Sequence, residues 1–418
     1  MQPSCPGIEV RAANLERLGV TQSMPTILQI IPRLDTGGAE LSTIEITDAL
    51  VRAGGRMLVL SEGGRLASEI ARYGGELIPF PAATKNPIAI YANSRRIAAL
   101  VSERRVDLLH ARSRAPAWSA MMVARRTGRP FVTTYHGAYG SNGRLKTVYN
   151  GVMARGDAVI ANSEFTAQLI RARHHTPPER LHVIHRGVDL ARFDPANVTS
   201  DRLDALRRAW NLQPQQHVIL HAARLSGWKG QRVLIEAAAR LNADGRLGDS
   251  VVILAGDAQG RDGYTEELKN RIDAAGLSDH VRLVGHCADI AAAYQLAFVT
   301  VVPSIEPEAF GRAAAEALAM GCPIIASDHG APPEILPVGT TPGANGPRLG
   351  WLVPPDDAQA LAGYLAEALA MPQADRAMIR EPARAHIARH FTVEHMQRAT
   401  LEVYDTLLGT RLAAAFGK

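Results

Sequence analysis

Short apolar runs of strand length alternate along the chain with stretches whose apolar positions recur at helical spacing. TILQIIP (26–32), GRMLVLS (55–61), DLLHAR (107–112), PFVTTYH (130–136) and DAVIANS (157–163) read as strands, with GAELSTIEITDALVRAG and RAPAWSAMMVARRTG as helices between them. After a polar, proline-bearing link, GVDLARFDPANVTS (187–200), a second series begins. It comprises HVILHAAR (217–224), SVVILAGD (250–257), VRLVGH (281–286), FVTVVPS (298–304), PIIASD (323–328) and GWLVPP (350–355). Strands alternating with helices predict parallel sheets with crossover helices, and two such series predict two doubly wound α/β domains in tandem. The expected division is 24–190, 191–395 and a last segment, 396–418, within the long amphipathic helix of VEHMQRATLEVYDTLLGTRLAAAF. That helix either caps the second domain or returns to the first. Ligands of such sheets sit outside the carboxyl ends of the strands, so the expected site is a cleft between two facing domains.

Length and composition agree with this picture. A chain of 418 residues is too long for one ordinary core, and 46% hydrophobic with 21% charged residues is the balance of a soluble globular protein. No run approaches the roughly 18 apolar residues of a membrane span. The first 23 residues lack the pattern of a secretory signal, and Met24 directly precedes the first strand, so they read as a loose extension or an over-called start. Cys5, Cys287 and Cys322 have neither metal nor disulfide spacing and fit a reducing cytoplasm.

The net charge of +5 is unevenly spread: residues 81–200 carry 18 Lys and Arg against 7 Asp and Glu, a surplus of 11, which leaves −6 elsewhere. A basic half of this kind meets an anionic partner (nucleic acid, acidic lipid headgroups or a phosphorylated substrate) or is simply a solvated arginine-rich surface. Nothing resembles a recognition helix or a base-stacking platform, so nucleic acid is not expected.

The strand ends of the second half carry the chemistry. In AARLSGWKG, Arg224 and Lys229 follow a strand, with Gly227 and Gly230 keeping the turn open. Two cations there suit a diphosphate, Arg224 as a fork and Lys229 as a point charge. In PSIEPEAFGRAAAEALAMG (303–321), Pro307 and Gly311 disfavour a helix through Glu308, which puts the helix start near Gly311. The free amides of Phe310, Gly311 and Arg312 then form an anion site at the positive end of the helix dipole. From Gly311 to Glu316 the rise is about 7 Å, comparable to a diphosphate linking two sugars. Glu308 is placed to accept from one sugar's hydroxyls and Glu316 from the other's.

Together, EPEAFGRAAAEALAMGCPIIASDHGAPPEI, AARLSGWKG, GGAE (37–40) and YHG (135–137) resemble the family-four retaining glycosyltransferases of GT-B fold, from about residue 26 to the C-terminus. The resemblance implies that the second domain binds a nucleotide-sugar donor: Glu316 on the ribose, Glu308 on the transferred sugar, Arg224 and Lys229 on the diphosphate, and Gly285 and His286 near the base. It further implies close approach of Gly37 and Gly38 to phosphate or sugar, and an active-site role for His136 at the transferred sugar. Relatives often have asparagine before GVD; this chain has Arg186.

In HARSR, Arg112 and Arg114 stand at another strand end and are expected to contact an acceptor phosphate. The chain has no Asp-x-Asp metal clamp, which predicts transfer without divalent metal; no cofactor is expected. The predicted activity is hexosyl transfer from a UDP or GDP sugar to a lipid-linked or saccharide acceptor, in lipopolysaccharide or other cell-envelope glycan synthesis. It would take place in the cytoplasm, with peripheral contact at the inner face of the cytoplasmic membrane through the arginines and helices near 85–130 and YGSNGRLKTVYN (139–150). Glu316→Ala is expected to weaken donor binding, and Arg224→Ala with Lys229→Ala to cut turnover more than folding. The rival reading is a nucleotide-sugar 2-epimerase of the same fold; a non-catalytic nucleotide-sugar binding module stands behind it.

Overall fold

The computed structural model describes residues 24–35, 37–137, 143–336 and 349–417. Thirteen strands form two wholly parallel sheets within them. The first comprises β1 (Thr26–Ile30), β2 (Arg56–Ser61), β3 (Glu76–Pro79), β4 (Leu108–Ala111), β5 (Phe131–Tyr135), β6 (Ala158–Ala161) and β7 (Leu181–Val183), in the order β3-β2-β1-β4-β5-β6-β7. The second comprises β8 (Val218–Ala222), β9 (Val251–Ala255), β10 (Val281–Gly285), β11 (Val299–Val302), β12 (Ile324–Ser327) and β13 (Gly350–Val353), in the order β10-β9-β8-β11-β12-β13.

Each order reverses once, between β1 and β4 in the first sheet and between β8 and β11 in the second. At the first reversal Ile30 pairs with both Leu60 and Ala111, so the last residues of β1 and β4 lie side by side. These are the two positions where loops leaving neighbouring strands diverge and open a crevice.

The central strands β1, β4, β5 and β6 are buried throughout, since helices cover both faces of the sheet. The apolar pattern found every strand of the second sheet but missed β3 and β7. Both are edge strands, four and three residues long, with half-exposed positions that break an apolar run.

Four helices position the site: α1 (Gly38–Arg52), α2 (Glu164–His174), α3 (Arg312–Ala319) and α4 (Val393–Leu408). Leu50 of α1 and Leu401 and Tyr404 of α4 share a core with Ile27, Val59 and Leu108 of the first sheet. The C-terminal helix thus packs on the first domain, although the second domain precedes it in sequence. Thr392 starts α4 by accepting from the His395 amide at 3.1 Å.

The chain therefore crosses between the domains twice. The crossings pair with each other: the Val188 amide donates to the Phe391 carbonyl (2.8 Å) and the Val393 amide to the Val188 carbonyl (3.1 Å). Their closeness excludes any side chain at Gly187, where a Cβ would meet the Thr392 carbonyl at 2.2 Å. Side chains also join the domains. Arg65 donates to Asp257 at 3.2 Å, and Glu334 of the second domain accepts from the Glu164 and Phe165 amides at the start of α2 (2.8 and 2.6 Å).

Candidate functional site

The loop from β11 into α3 holds both glutamates. Glu308 is pinned by its backbone, since its carbonyl accepts from the Ala331 amide at 2.9 Å. Its Oε1 accepts from Lys229 Nζ and from Ser304 Oγ, each at 2.6 Å. Burial pushes this carboxyl up, but the Lys229 ammonium and the Ser304 hydroxyl outweigh it and hold Glu308 below the usual carboxylate value. Lys229 also lies over the Trp228 ring, 4.2 Å from its centroid.

Gly311 caps α3, as the sequence led us to expect. The amides of Phe310, Gly311 and Arg312 donate to no other group among the described residues. One turn on, Glu316 accepts from the Tyr294 hydroxyl and from Arg312 Nε, both at 3.3 Å. Burial raises its pKa above the ordinary carboxylate value despite the arginine. Arg312 reaches on into the first domain, where Nη2 donates to Glu45 of α1 at 2.6 Å. Burial would discharge this arginine, yet Glu45 and Glu316 together hold it more firmly charged than usual.

From the first domain, Gly37 and Gly38 open α1 and His136 follows β5. Arg186, just past β7, donates from Nη2 to His136 Nδ1 at 2.7 Å. Burial, reinforced by Arg186, Arg112 and His110, depresses the His136 pKa well below the ordinary imidazole range.

These groups face one another across a cavity of about 630 Å³ between the domains. Its wall includes Gly37, Gly38 and His136 on one side and Arg224, Lys229, His286, Glu308, Phe310, Gly311, Arg312 and Glu316 on the other. Gly285 is exposed at the end of β10 and precedes the wall residue His286. A second cavity of about 530 Å³ adjoins the first and shares Glu40, His136, Arg224 and Asp257 with it.

The two arginines expected on the acceptor side separate. Arg112 lines the second cavity but is buried, donating to the Gln29 side chain at 2.6 Å, and burial lowers its pKa to about 10. Arg114 donates to Asn150 at 2.9 Å and is not part of either wall.

Sequence reasoning did not single out Glu40, Trp228, Asp257 or Tyr294, which also line the first cavity. Asp257 and Trp228 stand at strand ends already marked as ligand positions, which is the signal that could have found them. Tyr294, alone in a run of alanines, carries none. Cys287 and Cys322 are free, and Cys5 lies outside the described residues. Among the described residues no three His, Cys, Asp or Glu side chains are grouped to hold a metal ion.

Two family models account for most of the chain: Glycosyltransferase Family 4 matches residues 36–192, and Glycosyl transferases group 1 matches residues 204–386. A D-inositol 3-phosphate glycosyltransferase of Jonesia denitrificans is 31% identical over 332 residues, covering 74% of this chain and 73% of its own. A glycosyltransferase crystal structure from Rickettsia africae superposes with a TM-score of 0.83 at 32% identity, covering 93% of this chain and all of its own.

The chain belongs to the family-four glycosyltransferases, of GT-B fold.

Within this glycosyltransferase family, the lipopolysaccharide core biosynthesis mannosyltransferase LpcC of Rhizobium leguminosarum is 29% identical over 309 residues, covering 74% of this chain and 80% of its own. Anabaena HepE, solved in complex with UDP-glucose, superposes with a TM-score of 0.78 at 25% identity over 91% of this chain and 99% of its own. A GT-B glycosyltransferase places two parallel-sheet domains on either side of its cleft, and this is where the cavities and their charged walls lie.

Proposed function

We propose that this glycosyltransferase moves a hexosyl unit from a nucleoside diphosphate sugar to an acceptor hydroxyl with retention of anomeric configuration. One observation carries the reading: Glu308, Glu316, Arg224 and Lys229 of the second domain and Gly38 and His136 of the first converge on a single cavity. Its volume of about 630 Å³ suits a ligand with two sugar rings and a diphosphate. The UDP-glucose bound to HepE supports the donor class.

In this reading residues 191–395 take the donor, with Glu316 on the ribose, Glu308 on the transferred sugar and His286 near the base; residues 24–190 take the acceptor. As the bond from the sugar's anomeric carbon to the diphosphate oxygen breaks, negative charge grows on the diphosphate. Arg224, Lys229 and the free amides of Phe310, Gly311 and Arg312 at the start of α3 line the same cavity and take up this charge, and preorganised charge stabilisation of this kind is the main catalytic contribution. The acceptor oxygen bonds to the anomeric carbon on the face the diphosphate leaves. The acceptor's proton passes to a phosphate oxygen of the leaving group, so neither a covalent enzyme intermediate nor a divalent metal is required.

The acceptor is an envelope glycan precursor on a lipid, held at the inner face of the cytoplasmic membrane. The surplus of 11 basic charges in residues 81–200 supports this, as does the helix Pro87–Glu103, which exposes Ile88 and Tyr91 beside Arg95 and Arg96. The mannosyltransferase LpcC supports the envelope setting. Residues 139–142, in the second segment assigned to the membrane, lie outside the described residues. Among the described residues no helix is long and apolar enough to cross a membrane.

The donor is tested by screening UDP-, GDP- and ADP-sugars for thermal stabilisation, then following nucleotide release with and without EDTA. Stabilisation with metal-independent release is expected. Consumption of the sugar nucleotide without release would instead identify an epimerase. Flotation with anionic liposomes tests the membrane contact: binding that salt weakens is expected, and failure to bind at any salt concentration would refute it.

A further inference from the structure

Arg186 stands where this family's motif often has asparagine, and the structure gives the exchange a chemical meaning. Its Nη2 donates to Nδ1 of His136 at 2.7 Å. A guanidinium has donors and no acceptor, so the ring nitrogen facing it is unprotonated, and the neutral ring carries its proton on Nε2. That Nε2 is buried and finds no partner among the described residues. His136 lines both cavities, where donor and acceptor are expected to meet.

We propose that Arg186 is a positioning residue that locks His136 as the neutral Nε2–H tautomer, so that the ring stays uncharged beside the cavity junction and cannot act as a proton acceptor there. The inference rests on the placement of His136 at the transferred sugar and specifies what the histidine does there.

The arginine is fixed by space as well as by charge. A Cβ at Gly38 would lie 2.0 Å from Arg186 Nη1, so the guanidinium occupies the room a side chain at position 38 would need. A side chain at position 38 would have to displace the guanidinium that donates to His136. Arg186 is itself half-buried, with its Nε enclosed, and its pKa is lowered to about 10 by desolvation and by Arg312 and Arg112, with Glu45 and Glu40 of α1 opposing them.

The charged and titratable groups around the His136 ring come from several elements. Arg186 follows β7, Arg112 and His110 belong to the end of β4, Glu40 faces the cavity from α1, and Arg224 faces it from the second domain. Protonating the ring would place a second cation against Arg186 and remove the acceptor that the arginine uses. An asparagine at 186 could donate or accept equally well and would leave the tautomer open.

The test is a histidine nitrogen NMR titration of the full-length protein labelled with ¹⁵N-histidine, with His136 assigned by its loss in His136→Asn. The expected result is a neutral ring with its proton on Nε2 from about pH 8 down to about pH 5, below the ordinary imidazole range. In Arg186→Met both tautomers should appear and the ring should titrate at higher pH; Arg186→Lys, whose ammonium donates and cannot accept, should restore the wild-type tautomer. Nucleotide release is measured with whichever of UDP-, GDP- and ADP-glucose is turned over. There, kcat of Arg186→Met should fall about 10- to 100-fold and its profile should gain an acid limb that the wild type lacks.

A wild-type ring protonated on Nδ1, or titrating like a free imidazole, overturns the proposal without any variant. So does an altered tautomer in Arg186→Met with unchanged kcat. In that last case His136→Ala separates the two readings: a full rate there removes His136 from the site altogether, whereas a lost rate removes only the role of Arg186.

Discussion

Lys229 and Arg224 were read alike from the sequence, as a pair of cations for a diphosphate, but the fold holds them differently. Arg224 is exposed at the cleft and donates weakly to Gln259 at 3.4 Å, whereas Lys229 is paired with Glu308, their side chains 17% and 10% exposed. Arg224→Ala is therefore expected to leave stability within about 0.5 kcal/mol and to lower kcat about 100-fold or more. Lys229→Met should cost about 3–5 kcal/mol, because it strands the Glu308 charge in the interior, and it will show as a lowered denaturation midpoint. Arg224→Ala with Lys229→Ala, expected to cut turnover more than folding, should owe its loss of stability to Lys229; adding Glu308→Gln to Lys229→Met should recover much of the stability and none of the turnover. The two glutamates also respond oppositely to acid. The lowered pKa of Glu308 gives stability that is present above the unfolded carboxylate value and lost as pH falls through the folded one. For Glu316, raised by burial, the sign reverses: its charged form costs stability above its folded pKa, and that cost is relieved as the group protonates. Protonation turns one acceptor oxygen of the carboxyl assigned to the ribose into a donor, so donor-induced thermal stabilisation should shrink as pH falls through the raised folded pKa of Glu316. Glu316→Gln should bind weakly and lose that dependence. The glutamates and strand-end cations were legible because each is local to one motif. The Arg186–His136 pair was not, since it joins the ends of β7 and β5, fifty positions apart in sequence.

At the scale of elements, the interior strands announced themselves through burial on both faces, and the edge strands β3 and β7 did not because they are short and mostly only half-buried. The destination of α4 was left open by the sequence, since an amphipathic stripe says that a helix packs and not against what. The partner is specified by side chains the pattern cannot rank. Tyr404 of α4 is hydrogen bonded through its hydroxyl to His110 Nδ1 at 2.6 Å in the first sheet, and Gln397 donates to the Glu45 carbonyl of α1 at 2.7 Å. His110 in turn meets Thr134 of β5 at 2.7 Å through its other ring nitrogen, so the ring is satisfied on both sides while fully buried. Tyr404→Phe keeps the packing and leaves one buried ring nitrogen without a partner; a loss of about 1–3 kcal/mol in chemical denaturation is expected.

At the scale of the whole molecule, the half-buried chain Glu45–Arg312–Glu316 and the exposed pair Arg65–Asp257 tie the two domains across the cleft. The first pair of contacts runs from α1 to the carboxylate assigned to the ribose, so donor binding and the seating of the domains share a residue. The paired crossings at Val188 and Phe391–Val393 carry a different consequence. Because the second domain leaves and re-enters the first at adjacent points, it is topologically an insertion, and the first domain is a discontinuous fold closed by its own last helix. A chain in which residues 189–391 are replaced by a short glycine-serine linker should fold as an independent, cooperatively melting unit, since the points to be joined already touch. Truncation at residue 190, which keeps the same sheet but removes α4, should instead leave the apolar face around Ile27, Val59 and Leu108 uncovered and the product aggregated. The boundary of this domain is therefore set by adjacency in space, and a contiguous stretch of sequence does not contain it.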